Sequence, residues 1–498
     1  MRSRINRFKK EEKNNTLNIN KIINIASKSS DFAHINLPIN NITYDLFYYE
    51  SLIDSESVHH FVLPYLNQEI SEIKEIKRLI PLVGISISSD AKEIEGKLLQ
   101  GHILLQLQGE DKVVALLNVK DVKVGKRIYN DTENEYSVVG PKTGFVENIQ
   151  INLNLLRNHI VTSNLIFEEL TIGSTSKTKV MIAYLQDITN DQYIQTIRQR
   201  MQDIDFDVIF DASFIEQLIS DNTNTPFPLF LSTERVDRAV YTLINGQVVI
   251  FSDGSPYAIT GPSNLFDFFI SPEDYYLPWV VGSFFRLIRI FGVFFSTCST
   301  SIYVAVLTYH YTMIPKDLMG PLVVSRANVP FPPVLEVLFL EITIELLREA
   351  GARLPTKVGQ TLGIVGGIVI GQASVAAALT SNVLLIIVAL SALASFTTPI
   401  FKMSNTIRLL RFPLIILAGA AGGYGLMFGM TMILIHLLRL TSLGTPYLLP
   451  FYPFRKADLG DTLIRSSYSL TSKRASYLRP KNIWRYNREK ARLKKDKL

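Results

Sequence analysis

The sequence predicts an α+β cytoplasmic N-terminal region, in two small subdomains, followed by an α-helical polytopic membrane domain. Three observations carry this. No residue between Gly359 and Phe401 is charged, and roughly 20 apolar residues suffice to cross the hydrocarbon core of a bilayer. Charged residues nevertheless make up 19% of the chain, too many for a protein that is membrane throughout. Between about residues 44 and 265, strand-like runs alternate with helix-like ones.

The expected division is a disordered polar extension at 1–40, α+β subdomains at 41–139 and 140–270, a membrane domain at 271–440 and a basic cytoplasmic tail at 441–498. Residues 1–40 are rich in Asn, Lys and Ser and lack the apolar core of a secretory signal, so the soluble region is expected in the cytoplasm. Ser55–Phe61 and Ser71–Leu79 read as helices. The runs at His102–Gln108 and Lys112–Val119 read as paired strands joined by the turn Gly109–Glu110–Asp111, and Asp131–Tyr136 as a loop. From Gly144, apolar residues at Val146, Ile149, Leu153 and Leu156 fall at helical spacing. LIFEELTIG and TKVMIAYLQDI read as strands around Gly173–Lys177. Helices are expected at Asn190–Gln202, Ser213–Asp221 and Ser232–Leu243, the last with Ser232 as its cap. A hairpin is expected to turn at Asp253–Gly254.

SPEDYYLPW (271–279) marks the membrane edge, with Tyr275, Tyr276 and Trp279 as interfacial aromatics. A first span at about Leu287–Tyr309 follows, with Arg286 and Arg289 placed to snorkel to the cytoplasmic face. The Pro-rich stretch 311–332 cannot be one straight helix. In Pro333–Gly351, Glu341, Glu345 and Glu349 share one helix face with Arg348, while Glu336 lies off it. Such an acidic face either lines a wet path, where rings of carboxylates attract cations, or is the solvated side of an interfacial helix. Further spans are read at 361–379, 382–400 and 412–438. Four spans put Lys402, Arg408 and Arg411 in an outer loop, against the excess of Lys and Arg expected in cytoplasmic loops. A fifth span at 333–350 would instead export the tail. Gly363, Gly367 and Gly371 recur every fourth residue, as do Gly419 and Gly423. Small faces of this kind allow close helix packing, either within one subunit or between subunits.

Several functions are disfavoured. GPKTG and GSTSKTK lack the spacing of a phosphate-binding loop. No catalytic triad or paired-carboxylate arrangement is recognisable, so neither enzyme chemistry nor a cofactor is expected. The single cysteine, Cys298, rules out a disulfide within the chain, and the seven histidines form no ligand spacing, so no metal site is expected. The net charge of +6 is concentrated at the end: from Arg455 onward there are fourteen Lys and Arg against four acids. A basic segment beside a membrane sets topology and meets anionic lipid, which fits better than nucleic-acid binding.

GFVENIQINLNLLRNHI, SPEDYYLPW, the run VPFPPVLEVLFLEITIELLREAGARLPTKVGQTLGIVGGIVIGQ and RLLRFPL together resemble the A-subunit family of GerA-type spore germination receptors. The resemblance extends over about Asp121–Arg465. It implies a multi-pass protein of the spore inner membrane. It also implies work with a transporter-like, nutrient-binding B subunit and a lipoprotein C subunit, and oligomerisation, as a pentamer, into a nutrient-gated cation channel. A non-conducting signalling scaffold and the family branch that assists dipicolinic-acid release are the alternatives. A secondary transporter ranks last, because the spans show no matching internal repeats.

Overall fold

The computed structural model describes residues 19–39, 42–67, 73–108, 113–121, 135, 138–354, 367, 369, 371–468 and 470–486. They form two compact units. One comprises the described residues of Met1–Ser220, Ser232–Pro262 and Lys473–Arg485; the other comprises those of Asp221–Leu231, Ser263–Ser472 and Tyr486–Leu498.

The first unit holds two five-stranded sheets. In the first, β1 (Phe32–Ile39), β2 (Ile42–Tyr49), β3 (Ser86–Ser88), β4 (His102–Leu107) and β5 (Val114–Asn118) lie in the order β1-β2-β4-β5-β3, every pairing antiparallel. Alternate side chains enter opposite faces. Phe47, Tyr49, Leu104, Val114 and Leu116 pack against α1 (Ile19–Ala26) and, beyond α2 (Ser55–Phe61) and α3 (Ile76–Leu79), against α4 (Ala91–Leu98). Tyr44, Leu46, Ile103, Leu105 and Leu117 pack against Val58, Val62, Leu66, Ile73 and Ile76. Burial on both faces explains why HILLQL is a nearly unbroken apolar run.

Residues 19–39 are not the disordered extension expected from composition. Ile19, Ile22 and Ala26 form a buried helix face, and β1 pairs with β2 along its whole length. Of the expected helix at Ser71–Leu79, residues 71–72 lie outside the described residues, and the rest is a 3-10 turn at Ile73–Glu75 followed by α3. The turn at 109–111, and Asp131–Tyr136 apart from Glu135, lie outside the described residues.

In the second sheet, β6 (Leu165–Ile172), β7 (Thr178–Leu185), β8 (Leu231–Thr233), β9 (Val248–Ser252) and β10 (Ala258–Gly261) take the order β6-β7-β9-β10-β8. Helices α5 (Ile149–His159) and, after α6 (Asp191–Gln202) and α7 (Ala212–Leu218), α8 (Val236–Asn245) cover one face. They bury Leu153, Leu156, Val236, Ala239 and Leu243 against Phe167, Met181, Val249 and Phe251. Short polar side chains set the helix starts. Asn148, Asn190 and Asp211 each accept a hydrogen bond from the backbone N–H two residues on. α5 therefore begins five residues later than Gly144. Ser232 caps nothing: it sits in β8, and α8 starts after Arg235. Ladder pairing of 231–233 takes the backbone that a cap would need.

Of the tail read at 441–498, residues 441–468 and 470–486 are described, and they are not free. Within the first unit, Arg474 donates to Ile244 O at 2.6 Å, Lys481 N to Ile188 O at 2.8 Å and Lys481 Nζ to Asp191 Oδ1 at 2.6 Å. Asp461 and Arg465 belong to the second unit, where they meet the start of its first long helix.

The second unit is helical. It contains α9 (Glu273–Tyr276), α10 (Trp279–Thr308), α11 (Lys316–Arg326), α12 (Pro333–Arg353), α13 (Asn382–Ser395) and α14 (Phe401–Arg439). α10 and α14 are long and apolar enough to cross a membrane. α14 is not one rod. Ala421 and Gly422 leave helical geometry, Gly422 at φ +59° and ψ −137°, and the helix folds back. A side chain at Gly429 would meet Leu414 and Leu417, fifteen and twelve residues earlier in the chain. At the open end Thr406 donates to Pro226 O, and the neighbouring Thr225 hydroxyl lies 2.8 Å from His436 Nε2. The arms 401–420 and 423–439 are thus antiparallel. The single span read at 412–438 is therefore replaced by a hairpin. Arg408 and Arg411 lie inside its first arm rather than in a loop, and Lys402 lies at the same end as Arg439.

α10 runs toward the hairpin tip. Tyr309 OH donates to Ala420 O at 2.9 Å, and Gly423 N donates to His310 Nε2 at 3.1 Å. α13, with 14 residues, is about 21 Å long at 1.5 Å per residue, less than a bilayer core. Most of the span read at 361–379 lies outside the described residues. Tyr303, Val304, Val337, Leu340, Leu384, Val388, Ile415 and Ala418 make the core of this unit. Phe284, Phe291, Phe294, Ile386, Leu393, Ile416 and Phe428 point outward and are exposed, an apolar exterior suited to lipid.

Candidate functional site

Inside this apolar bundle lie carboxylates and arginines that cost much free energy to bury unless paired. α12 supplies two of the acids. Glu341 is 4% exposed, and its Oε2 accepts from Arg411 Nη1 of α14 at 3.1 Å. Arg411 Nη2 also donates to Ser296 Oγ of α10 and, at 3.1 Å, to Ser391 O of α13. One guanidinium thus joins four helices, using the fixed fork of donors that only arginine offers.

Glu336, one turn into α12, is fully buried. Its Oε1 accepts from Ser381 N at 2.7 Å and from Thr380 Oγ1 at 3.3 Å, and its Oε2 lies 3.3 Å from Arg326 Nη2. The Ser381 side chain caps α13, accepting from Leu384 N at 3.2 Å, and Tyr303 OH lies 3.1 Å from its Oγ. Glu336 therefore closes the break that the sequence places at Thr380–Ser381–Asn382.

Of the three glutamates read on one face, only Glu341 enters the bundle. Glu345 takes Arg348 and Glu349 takes Arg353, both within α12, and their side chains are 36% and 51% exposed. Arg408, one turn before Arg411, is buried. Its Nε donates to Ser395 Oγ and its Nη1 to Asn405 Oδ1, both at 3.1 Å, and its guanidinium lies 4.8 Å from the Phe396 ring centre. Among the described residues no carboxylate pairs with it.

A second charged cluster fixes the start of α10. Arg286 is fully buried and donates to Asp274 Oδ2 at 3.2 Å and to Asp461 O at 2.6 Å. Arg289 donates to Phe269 O at 2.9 Å and also to Asp274. Arg465 donates to Leu277 O and Tyr275 O. Both arginines expected to snorkel are thus committed to protein partners. Tyr275 OH donates to Asp461 Oδ2 at 2.8 Å, while Tyr276 and Trp279 remain exposed.

The glycines divide. Gly363 lies outside the described residues. Gly367 is exposed and a side chain there would meet nothing among the described residues; Gly371 faces Leu385. Gly419 abuts Val334 of α12, and Gly423 abuts His310. Cys298 is buried, 3.8 Å from Met430 Sδ.

Glu336, Arg408 and Arg411 had no assigned role in the sequence. A charge within an apolar run was the available signal, but only the packing of α10, α12 and α13 around Arg411 brings it inside.

A mixed α/β unit joined to a helical unit with an apolar exterior, one straight helix of membrane-crossing length, an apolar helical hairpin and buried ion pairs points to a membrane-associated protein. The chain belongs to the GerA family: the family model described as Bacillus/Clostridium GerA spore germination protein matches residues 20–477. Spore germination protein GerQA of Bacillus cereus is 47% identical, over 96% of this chain and 95% of that one. Spore germination protein GerIA of Bacillus cereus is 44% identical, over 96% and 71%. Spore germination protein KA of Bacillus subtilis (strain 168) is 36% identical, over 86% and 79%. A crystal structure of the N-terminal domain of the A subunit of the Bacillus megaterium spore germinant receptor GerK3 matches at 27% identity and a TM-score of 0.36, covering 49% of this chain and 92% of that one. At that score the likeness adds nothing to the assignment.

Proposed function

We propose that this chain is the A subunit of a nutrient germinant receptor of the spore inner membrane. It starts germination by assembling with a transporter-like B subunit, a lipoprotein C subunit and further copies of itself, five in all, into a nutrient-gated cation channel. Family membership supports the role in germination. The conducting role rests on one observation: of the three glutamates at four-residue spacing on α12, Glu345 and Glu349 are partly exposed, while Glu341 is buried on Arg411. In a ring of copies, such carboxylates form successive cation-attracting rings.

The test is cation flux through the purified receptor in liposomes, comparing wild type with Glu345→Gln at equal protein. Reduced flux or altered selectivity is expected, since Gln keeps size and removes charge. Unchanged flux and selectivity in Glu345→Gln and Glu349→Gln would remove α12 from the path. A non-conducting signalling scaffold is the second reading. The pairing of Glu345 with Arg348 and of Glu349 with Arg353 favours it, because it neutralises the acidic face locally.

A further inference from the structure

α12 and the first arm of α14 face each other with more charge than they pair. They are antiparallel and in matched register. Val334 packs on Gly419 and, seven residues later, Glu341 meets Arg411, eight residues earlier on the arm. One turn further along α12, Glu345 comes level with Arg408. Yet Glu345 is held by Arg348, and Arg408 is buried against Ser395, Asn405 and Phe396 without a carboxylate.

We propose that α12 is a two-position element that moves one helical turn along this arm, toward the hairpin tip. Arg411 then passes from Glu341 to Glu345, and Glu349 reaches Arg408. The step is about 5.4 Å, the size of the one-turn ratchets by which packed helices switch. It deepens the receptor reading by naming the part that moves.

Three features besides the spacing carry this. Two pairs between the helices replace one, at the expense of the Glu345–Arg348 and Glu349–Arg353 pairs within α12, and the buried guanidinium of Arg408 gains the carboxylate it lacks. Glu341 has a polar destination: one turn tipward of Ser296 on α10 are Ser299, Thr300 and Ser301. Thr300 and Ser301 are fully buried; Thr300 already hydrogen-bonds Glu341, and among the described residues the hydroxyls of Ser299 and Ser301 have no hydrogen-bond partner. Helical serines ordinarily satisfy themselves on a carbonyl one turn back, so unmet hydroxyls there suit an incoming carboxylate. The way ahead of α12 is also smooth, since the arm ends in Gly419, Ala420 and Ala421 before Gly422 and Gly423. Glu336, held by Ser381 N, Thr380 and Arg326, is the latch that must release.

A disulfide across the sliding faces tests the proposal. A Cβ at Gly419 would lie 3.2 Å from Val334 Cβ, close to the roughly 3.5–4.5 Å of a disulfide. The full-length receptor carrying Val334→Cys, Gly419→Cys and Cys298→Ala is produced in spores, oxidised, and challenged with a rich nutrient broth. Cross-linking is read on gels and germination by loss of refractility, and neither readout depends on ion conduction. The cross-linked receptor is expected to lose its nutrient dependence, fixed either off or on, with reduction restoring it. A cross-linked receptor that germinates at the reduced receptor's rate overturns the movement, and failure to cross-link overturns the register. Independently, Arg408→Gln at wild-type protein level is expected to slow the response at least about tenfold; a wild-type rate also overturns the proposal. If the cross-link locks germination while liposomes remain sealed, the sliding element stands and the channel reading falls.

Discussion

Arg157 and Asp31 show how single residues hold this protein together. Arg157, on α5, is buried between the rings of Tyr49 and Phe167, 3.9 and 4.6 Å from their centres. It grips Asp31, ahead of β1, through two 2.6 Å hydrogen bonds. The pair ties the two sheets of the first unit. Burial alone would raise the Asp31 pKa, but Arg157 and the hydroxyls of Ser29 and Ser51 outweigh it and hold the carboxyl below its ordinary 3.8. A lowered folded-state pKa contributes stability that is present above the unfolded value and lost as pH falls through the folded one. In thermal unfolding of the full-length protein, Asp31→Asn is expected to cost about 3–5 kcal/mol near neutral pH, because it strands a buried guanidinium. Its deficit should shrink as pH drops below the ordinary carboxylate range. A deficit independent of pH would show that packing, not charge, holds the joint. In the helical unit, Arg411→Gln strands Glu341 and should lower stability by a similar amount, about 3–5 kcal/mol. Adding Glu341→Gln should recover part of that loss, since it removes the unpaired charge; a double-variant loss equal to the sum of the two single losses would mean the pair carries no coupling.

At the level of elements, the fold-back of α14 decides the most. Gly422 sits at positive φ, and a Cβ there would approach Tyr309 Cβ to 2.8 Å. Backbone strain of this kind costs about 1–3 kcal/mol for other residues, and the contact adds to it. Gly422→Val should therefore reduce the amount of folded receptor in membranes, by immunoblot, more than Gly444→Val does. Gly444 also has positive φ but faces open space, so it isolates strain from contact. Gly367 gives the opposite case. Nothing in the described chain approaches it, so Gly367→Leu should leave the fold of one copy intact. If that variant still loses assembly on native gels, the Gly367 face packs between subunits. Normal assembly and germination would assign it to lipid.

For the whole molecule, α10 and the first arm of α14 run toward the hairpin tip, while α12, α13 and the second arm of α14 run away from it. One end holds the start of α10, Lys402 and Arg439; the other holds the hairpin tip. If the arms cross the membrane, cysteines at Lys402 and Tyr424, introduced into a Cys298→Ala chain, should react with an impermeant maleimide from opposite sides. Labelling of both from one side would make the hairpin re-entrant. Much of this organisation was legible in the chain. Strands at β4 to β7, β9 and β10 followed from alternation and turn residues. α2, α6 and α12 followed from spacing and caps, and the break before α13 from Thr380–Ser381. Residues 19–39 were missed because polar composition hid three buried positions. β8 was missed because its three residues pair with a strand that lies later in sequence.

The sequence by itself determined where chain can be buried in lipid or in a core, because apolar periodicity is a local property, and it determined the family through long unbroken motifs. Only the tertiary structure decided which charges meet. Arg411 and Glu341 are 70 residues apart, and so remote a pair has no local signature. It exists because α10, α12, α13 and the first arm of α14 pack together, which turns an arginine, otherwise readable as loop, into the buried partner of a glutamate.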